Sequence, residues 1–161
     1  MTLAARTETA AEPEEARSIV IERLLNAPRE LVFTAFTKAE HLARWWGPDG
    51  FSTTTSAFDF RPGGVWRFVM HGPDGRDYQN RVAFDEIDPP ARITWRHGDD
   101  IEPVLFNTYV TLEAQGDKTK ITWRGVFPSI AERDRVVREF GAEDGGRQTV
   151  ARLAAYVAAL G

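Results

Sequence analysis

The side chains best suited to acid–base, nucleophilic or metal chemistry are scattered through this sequence. The three histidines, His41, His71 and His97, have neither the spacing of metal ligands nor a pattern that combines them with carboxylates. We interpret all three as surface residues. The chain has no cysteine, which excludes disulfides, thiolate zinc sites and cysteine nucleophiles. We therefore predict no catalytic residue, no metal site and no cofactor.

Two other polar residues are better explained by structure than by catalysis. Ser129 stands three residues before Glu132, which is the spacing of a helix capping box, and no neighbouring base would activate its hydroxyl group. Asp59 is interpreted as a polar anchor that pairs with Arg61 or Arg67. Neither residue predicts a reaction.

Strand alternation points large aromatic side chains toward the interior. In the segment 65–71, Trp66, Phe68 and Met70 share one face, and Arg67 marks the other face as the outer one. We apply the same test to the other strands and include Trp46 because it precedes the turn at residues 47–50 (Gly-Pro-Asp-Gly). Together these give nine candidates for the lining of a ligand cavity: Trp46, Trp66, Phe68, Met70, Tyr78, Asn80, Trp95, Phe106 and Trp123.

A solid aromatic core would also explain most of these residues. Tyr78 and Asn80 favour a cavity, because inward polar groups need hydrogen-bond partners that a ligand or water can supply. Met70 would add adaptable apolar surface. We therefore predict a cavity that binds a small apolar or aromatic molecule.

The elements that would position these residues follow from local signals. Thr37 and Glu40 have the spacing of a capping box, and the helix they predict ends at the pair Trp45 and Trp46, where residues 47–48 (Gly-Pro) stop it. Because Trp46 adjoins the loop, we expect its ring to border the cavity.

The order of elements predicts an α+β domain: one strand, two helices, six strands and a long amphipathic helix. Short connections make the sheet antiparallel. On the last helix Val150, Leu153, Ala154, Val157 and Leu160 form one apolar stripe, and Arg152, Ala155 and Ala159 lie opposite. Residues 1–16 lack large apolar side chains after Leu3 and are expected to be a disordered tail, with one domain over residues 17–161.

Several motifs resemble one known family: "HLARWWGP", "RPGGVWRFVM" and the closing "RQTVARLAAYVAAL". From about Arg17 to Leu160 the chain is similar to the activator of heat-shock protein 90 ATPase homologue family, of the START-like (SRPBCC, polyketide cyclase, Bet-v-1-like) superfamily. The resemblance implies a helix-grip fold, a curved antiparallel sheet of six to seven strands around a long C-terminal helix, often with a cavity between them. One departure is Gly145-Gly146, where family members commonly carry an aromatic residue. Either a cavity wall is missing there or the helix begins later.

Composition narrows the classes of partner. The net charge is −4 with both signs mixed along the chain, whereas nucleic-acid binding needs a concentrated basic face. No apolar run is long enough to span a membrane, and the N-terminus lacks the apolar centre of a signal peptide, so a cytoplasmic location is expected. The sequence leaves a homodimer open.

Three functions are compatible with these features. The first is binding of a small apolar or aromatic molecule. The second is an enzyme of the cyclase or aromatase kind in the same cavity, which would need a positioned acid or base such as Tyr78, Asp59 or Glu143. The third, a chaperone-associated interaction domain, rests on the family name alone and is not favoured.

Overall fold

The computed structural model describes residues 12–160. Its strands are β1 Ser18–Leu25, β2 Ser52–Phe58, β3 Val65–His71, β4 Asp77–Asp88, β5 Arg92–Gly98, β6 Phe106–Gln115 and β7 Lys118–Val126. Its helices are α1 Arg29–Thr34, α2 Ala39–Trp45, α3 Ile130–Phe140 and α4 Ala142–Leu160, and a 3-10 turn at Glu15–Arg17 precedes β1. None of the helices between residues 12 and 160 has the length and apolarity needed to span a bilayer.

The strands form one antiparallel sheet in the order β1-β7-β6-β5-β4-β3-β2. From β2 to β7 each strand pairs with the next along the chain, whereas β1 crosses over to pair with β7. The predicted hairpin between β3 and β4 is present, and the amide of Gly75 donates to the carbonyl of Gly72 at 3.1 Å across its turn. The predicted α+β class and helix-grip architecture are confirmed.

Helix α4 packs its apolar stripe on the inner face of the sheet. Val150, Leu153 and Val157 are buried, whereas Leu160, which we expected in the same stripe, is 39% exposed at the end of the helix. The helix begins at Ala142, so residues 145–146 lie within it. The alternative that the helix starts after the two glycines is therefore wrong.

Of the two predicted helix caps, the one at Ser129 is present and the one at Thr37 is not. The hydroxyl group of Ser129 accepts from the backbone N–H of Glu132 at 3.1 Å, which confirms the cap of α3. The cap at Thr37 is wrong, because its hydroxyl group donates instead to the carbonyl of Thr34 at 2.7 Å. Lys38 then precedes α2 without a side-chain cap.

The tail predicted for residues 1–16 lies mostly outside the described residues. Its last part, residues 12–16, contacts the domain: the backbone N–H of Ile130 donates to the carboxylate of Glu12 at 3.2 Å, and Arg124 donates to the carboxylate of Glu14 at 2.8 Å. These contacts connect the segment before β1 with β7 and α3.

Candidate ligand-binding site

A cavity of about 180 Å³ lies between the loop after α2, the sheet and α4. It is open to the surface, and its wall is formed by eight residues: Trp46, Gly47, Pro48, Met70, His97, Trp123, Gly146 and Thr149. An apolar cavity of roughly 150 Å³ holds one benzene molecule. This cavity therefore has room for a single aromatic ring with a small substituent.

The loop over the cavity, residues 46–51, is held by two side chains of α4. Nη1 of Arg152 donates to the carbonyl of Gly47 at 2.8 Å and lies within 3.3 Å of three more carbonyl oxygens of the same loop. The side-chain oxygen of Gln148 accepts from the backbone N–H of Asp49 at 3.0 Å. Helix α4 thus supplies one wall of the cavity and also fixes the loop that covers it.

The two adjacent tryptophans have different environments. Trp45 is fully buried, and its indole N–H donates to the carbonyl of Ala35 at 3.1 Å. Trp46 is 5% exposed, and its ring centroid lies 4.8 Å from that of Trp66 and 5.6 Å from that of Trp123. Trp45 therefore belongs to the core, whereas Trp46 separates the core from the cavity.

The interpretation of His97 as a surface residue is wrong. Its ring stacks on Phe106 at 4.8 Å between centroids and lies nearly parallel to Trp46 at 6.5 Å. His97 is half-buried, and the loss of hydration where it packs among these rings disfavours the charged imidazolium and lowers the pKa of His97 to about 4. The signal for this position is alternation, because His97 has the same strand parity as Trp95, which the sequence predicts to face inward.

A polar residue from β4 holds His97 in place. Nε2 of His97 lies 2.9 Å from the side-chain oxygen of Asn80. The side-chain nitrogen of Asn80 donates in turn to the backbone carbonyl of Tyr78 at 3.0 Å. The inward polar group that favoured a cavity in the sequence is therefore partnered by protein, and it orients a residue of the cavity wall.

The other two histidines lie away from the cavity. Nδ1 of His41 is hydrogen-bonded to the hydroxyl group of Tyr156 at 2.6 Å, which connects α2 with α4. His71 lies on the outer face between the carboxylate of Asp77 at 2.7 Å and the hydroxyl group of Thr54 at 2.8 Å, a pairing that spacing did not reveal. Within residues 12–160, no group of three His, Asp or Glu side chains is placed to hold a metal ion.

The nine residues predicted to line a cavity fall into three groups. Three line the 180 Å³ cavity: Trp46, Met70 and Trp123. Three are in the packed core, each at most 3% exposed: Trp66, Phe68 and Trp95. Three are half-buried neighbours of wall residues: Asn80 is hydrogen-bonded to His97, Phe106 stacks on His97, and Tyr78 lies opposite Met70 on the adjacent strand. Their part in ligand binding stays a prediction.

The packed core contains one small void beside Trp66 and Trp95. Its volume is about 10 Å³, the minimum for one water molecule, and its wall is apolar. Nε1 of Trp95 is buried and has no hydrogen-bond partner among residues 12–160. The void is too small for an organic ligand and is therefore not the candidate site.

Comparison with known proteins agrees with this architecture. The family model of the Activator of Hsp90 ATPase homolog 1-like protein matches residues 26–158. The chain belongs to this family. None of the curated proteins matches it.

Several solved structures share the fold. A protein from Arthrobacter aurescens is 27% identical over 92% of this chain and 90% of its own, with a TM-score of 0.80. A protein from Mycobacterium smegmatis is 23% identical over 94% and 97%, with a TM-score of 0.82. The AHSA1 protein from Silicibacter pomeroyi is 21% identical over 89% and 99%, with a TM-score of 0.71. The last two support the fold alone.

Proposed function

We propose that the protein binds a small apolar or aromatic molecule in the cavity between residues 46–51, the sheet and α4. The observation that carries the proposal is the cavity of about 180 Å³ beside Trp46. Small-molecule sites are concave, mostly apolar and largely preformed. A helix-grip fold with this cavity fits that description.

The two glycines of α4 support a cavity at this place. A Cβ atom at Gly146 would lie 3.2 Å from Cγ1 of Ile21, which is closer than an ordinary contact, and one at Gly145 would lie 3.4 Å from Cγ of Pro48. A glycine inside a helix costs about 1 kcal/mol relative to alanine. Here the glycines let the helix approach β1 and the loop without adding a side chain to the wall.

The chemistry of the wall favours an uncharged, apolar ligand. Trp46 and Trp123 offer aromatic rings, and the thioether of Met70 adapts to the shape of what it contacts. The hydroxyl group of Thr149 already donates to the carbonyl of Gly145 at 2.9 Å. The hydrogen of this hydroxyl group is therefore already used within the helix.

Titration with toluene, followed by NMR, tests the proposal. Thr149→Phe places four more heavy atoms in the cavity and should weaken toluene binding at least tenfold. Ala155→Phe is the matched control, because it makes a bulky substitution at an exposed position of the same helix. Absence of toluene binding to the wild type, or equal binding by the two variants, would contradict the proposal.

One observation favours a second function, an enzyme of the cyclase or aromatase kind. His97 is an ionisable group on the cavity wall with a strongly lowered pKa, and such groups are typical of catalytic sites. The acids suggested by the sequence fit less well, because Asp59 pairs with Arg61 at 2.8 Å and Glu143 with Arg147 at 3.8 Å, both outside the cavity wall.

Mass spectrometry separates the two functions. Small molecules released from the purified protein would be incubated again with the wild type and with His97→Phe. Binding alone predicts that their masses stay unchanged with both proteins. A change in mass that requires His97 would establish catalysis instead.

A further inference from the structure

We propose that the ligand is an uncharged aromatic molecule that donates an O–H or N–H hydrogen bond to Nδ1 of His97. This inference rests on the proposed function, because it names the class of molecule that the cavity takes. It follows from the hydrogen bonds that set which nitrogen of His97 carries the proton.

The first step is the orientation of the Asn80 amide. The backbone carbonyl of Tyr78 can only accept, so the group of Asn80 that lies 3.0 Å from it must be the NH₂. The side-chain oxygen of Asn80 therefore faces His97. The side-chain oxygen and nitrogen of Asn80 have nearly the same size, and the contact with the Tyr78 carbonyl group identifies which is the nitrogen.

The second step is the tautomer of His97. The side-chain oxygen of Asn80 accepts but cannot donate, so Nε2 of His97, 2.9 Å away, must carry a hydrogen. A neutral imidazole has one N–H, which leaves Nδ1 with a lone pair. The ring stays neutral near pH 7, because burial lowers its pKa to about 4.

The third step is that this lone pair is available. Among residues 12–160, Nδ1 of His97 has no hydrogen-bond partner, and it is not fully buried. His97 forms part of the cavity wall, and the rings of Phe106 and Trp46 fix its plane. Nδ1 is therefore an accessible acceptor on a residue of the cavity wall.

The fourth step excludes charged ligands. No carboxylate is present in the cavity wall formed by the described residues, so a buried ammonium group would have no counter-ion. The lone pair of Nδ1 repels a carboxylate. Arg152 is not among the residues of the cavity wall, and its Nη1 is held by carbonyl oxygens of the loop. A phenol with one small substituent meets these conditions and fits the volume of about 180 Å³.

Two probes that differ by one hydroxyl group, p-cresol and toluene, test the inference. Their affinities would be measured for the wild type and for His97→Phe, which keeps an aromatic ring against Phe106 and removes the acceptor. We expect the ratio of p-cresol to toluene affinity to fall about tenfold in the variant, because a buried donor loses its partner. The ratio is the readout because His97→Phe alters the cavity wall for both probes.

A spectroscopic measurement on the wild type does not depend on the variant's folding. The nitrogen-15 signals of the His97 ring should identify Nε2 as protonated and Nδ1 as unprotonated at pH 7. Added p-cresol should shift the Nδ1 signal, and added toluene should not. p-Toluate, the anionic analogue, should bind more weakly than either.

The outcomes separate the two proposals. If toluene binds but the affinity ratio is the same in both proteins, or if Nδ1 carries the proton, the inference about the ligand is wrong and the proposed function stands. If neither toluene nor p-cresol binds the wild type, both proposals are wrong.

Discussion

Acid should destabilise the wild-type protein more than the His97→Phe variant. The rings of Trp46, Phe68 and Phe106 surround His97 and supply no counter-ion for an imidazolium, so its lost hydration is not replaced by an opposite charge. Its hydrogen-bond partner, Asn80, is uncharged as well. In the unfolded chain the same imidazole is solvated and protonates freely. Protonation therefore favours the unfolded state.

The sign and size of the effect follow from the two pKa values. In the unfolded chain a histidine has a pKa near 6.5, and in the folded protein the pKa of His97 is about 4. Between these values the unfolded state binds a proton that the native state does not, so the free energy of unfolding falls as the pH falls. From pH 7 to pH 4 the loss due to His97 is about 3 kcal/mol, from the shift in pKa at 1.36 kcal/mol per unit.

Urea unfolding of both proteins at pH 7, 5.5 and 4 measures this difference. The variant also loses the hydrogen bond to Asn80, but that loss is the same at each pH. Hydrogen bonds from Arg124 and Arg135 lower the pKa values of Glu14 and Glu132, so these carboxylates weaken both proteins in acid and cancel in the comparison. If wild type and variant lose equal stability between pH 7 and pH 4, His97 is not buried as described.

Three further substitutions test other parts of the structure. Leu153→Asp places a carboxylate in the centre of the buried stripe of α4, and burying an unpaired charge costs about as much as the whole stability of a domain. Circular dichroism and gel filtration should therefore show unfolded or aggregated protein. A native, monodisperse product would refute the packing of α4. Arg152→Met should lower the free energy of unfolding by about 2 kcal/mol and speed amide hydrogen exchange in residues 46–51, and unchanged exchange would mean that Arg152 does not hold the loop. Ser129→Ala should cost about 1 kcal/mol through loss of the α3 cap, and a loss below 0.3 kcal/mol in urea unfolding would contradict the cap.

Features set by local periodicity could be predicted from the sequence. Alternation assigned the inward face of β3 correctly, because Trp66 and Phe68 are buried and Arg67 is exposed. Helical spacing likewise identified Leu153 and Val157 as the buried stripe of α4. Both predictions depend only on residues within one element, whose backbone geometry fixes the direction of each side chain.

Features set by contacts between distant segments could not be predicted in the same way. Arg152 was placed opposite the apolar stripe, but it reaches carbonyl oxygens about a hundred residues earlier, in the loop 46–51. Thr37 has the spacing of a capping box, yet its hydroxyl group bonds within the preceding turn. His97 was judged by its distance from other histidines, although strand parity already placed it inside.

The cavity beside Trp46 is the proposed ligand site. Intermolecular NOEs between toluene and the isotopically labelled protein test it most directly, because they locate the bound ring. We predict NOEs from toluene to the methyl group of Met70 on β3 and to the indole protons of Trp123 on β7, two strands that are not neighbours in the sheet. NOEs confined to other surfaces, or none at saturating toluene, would contradict the claim.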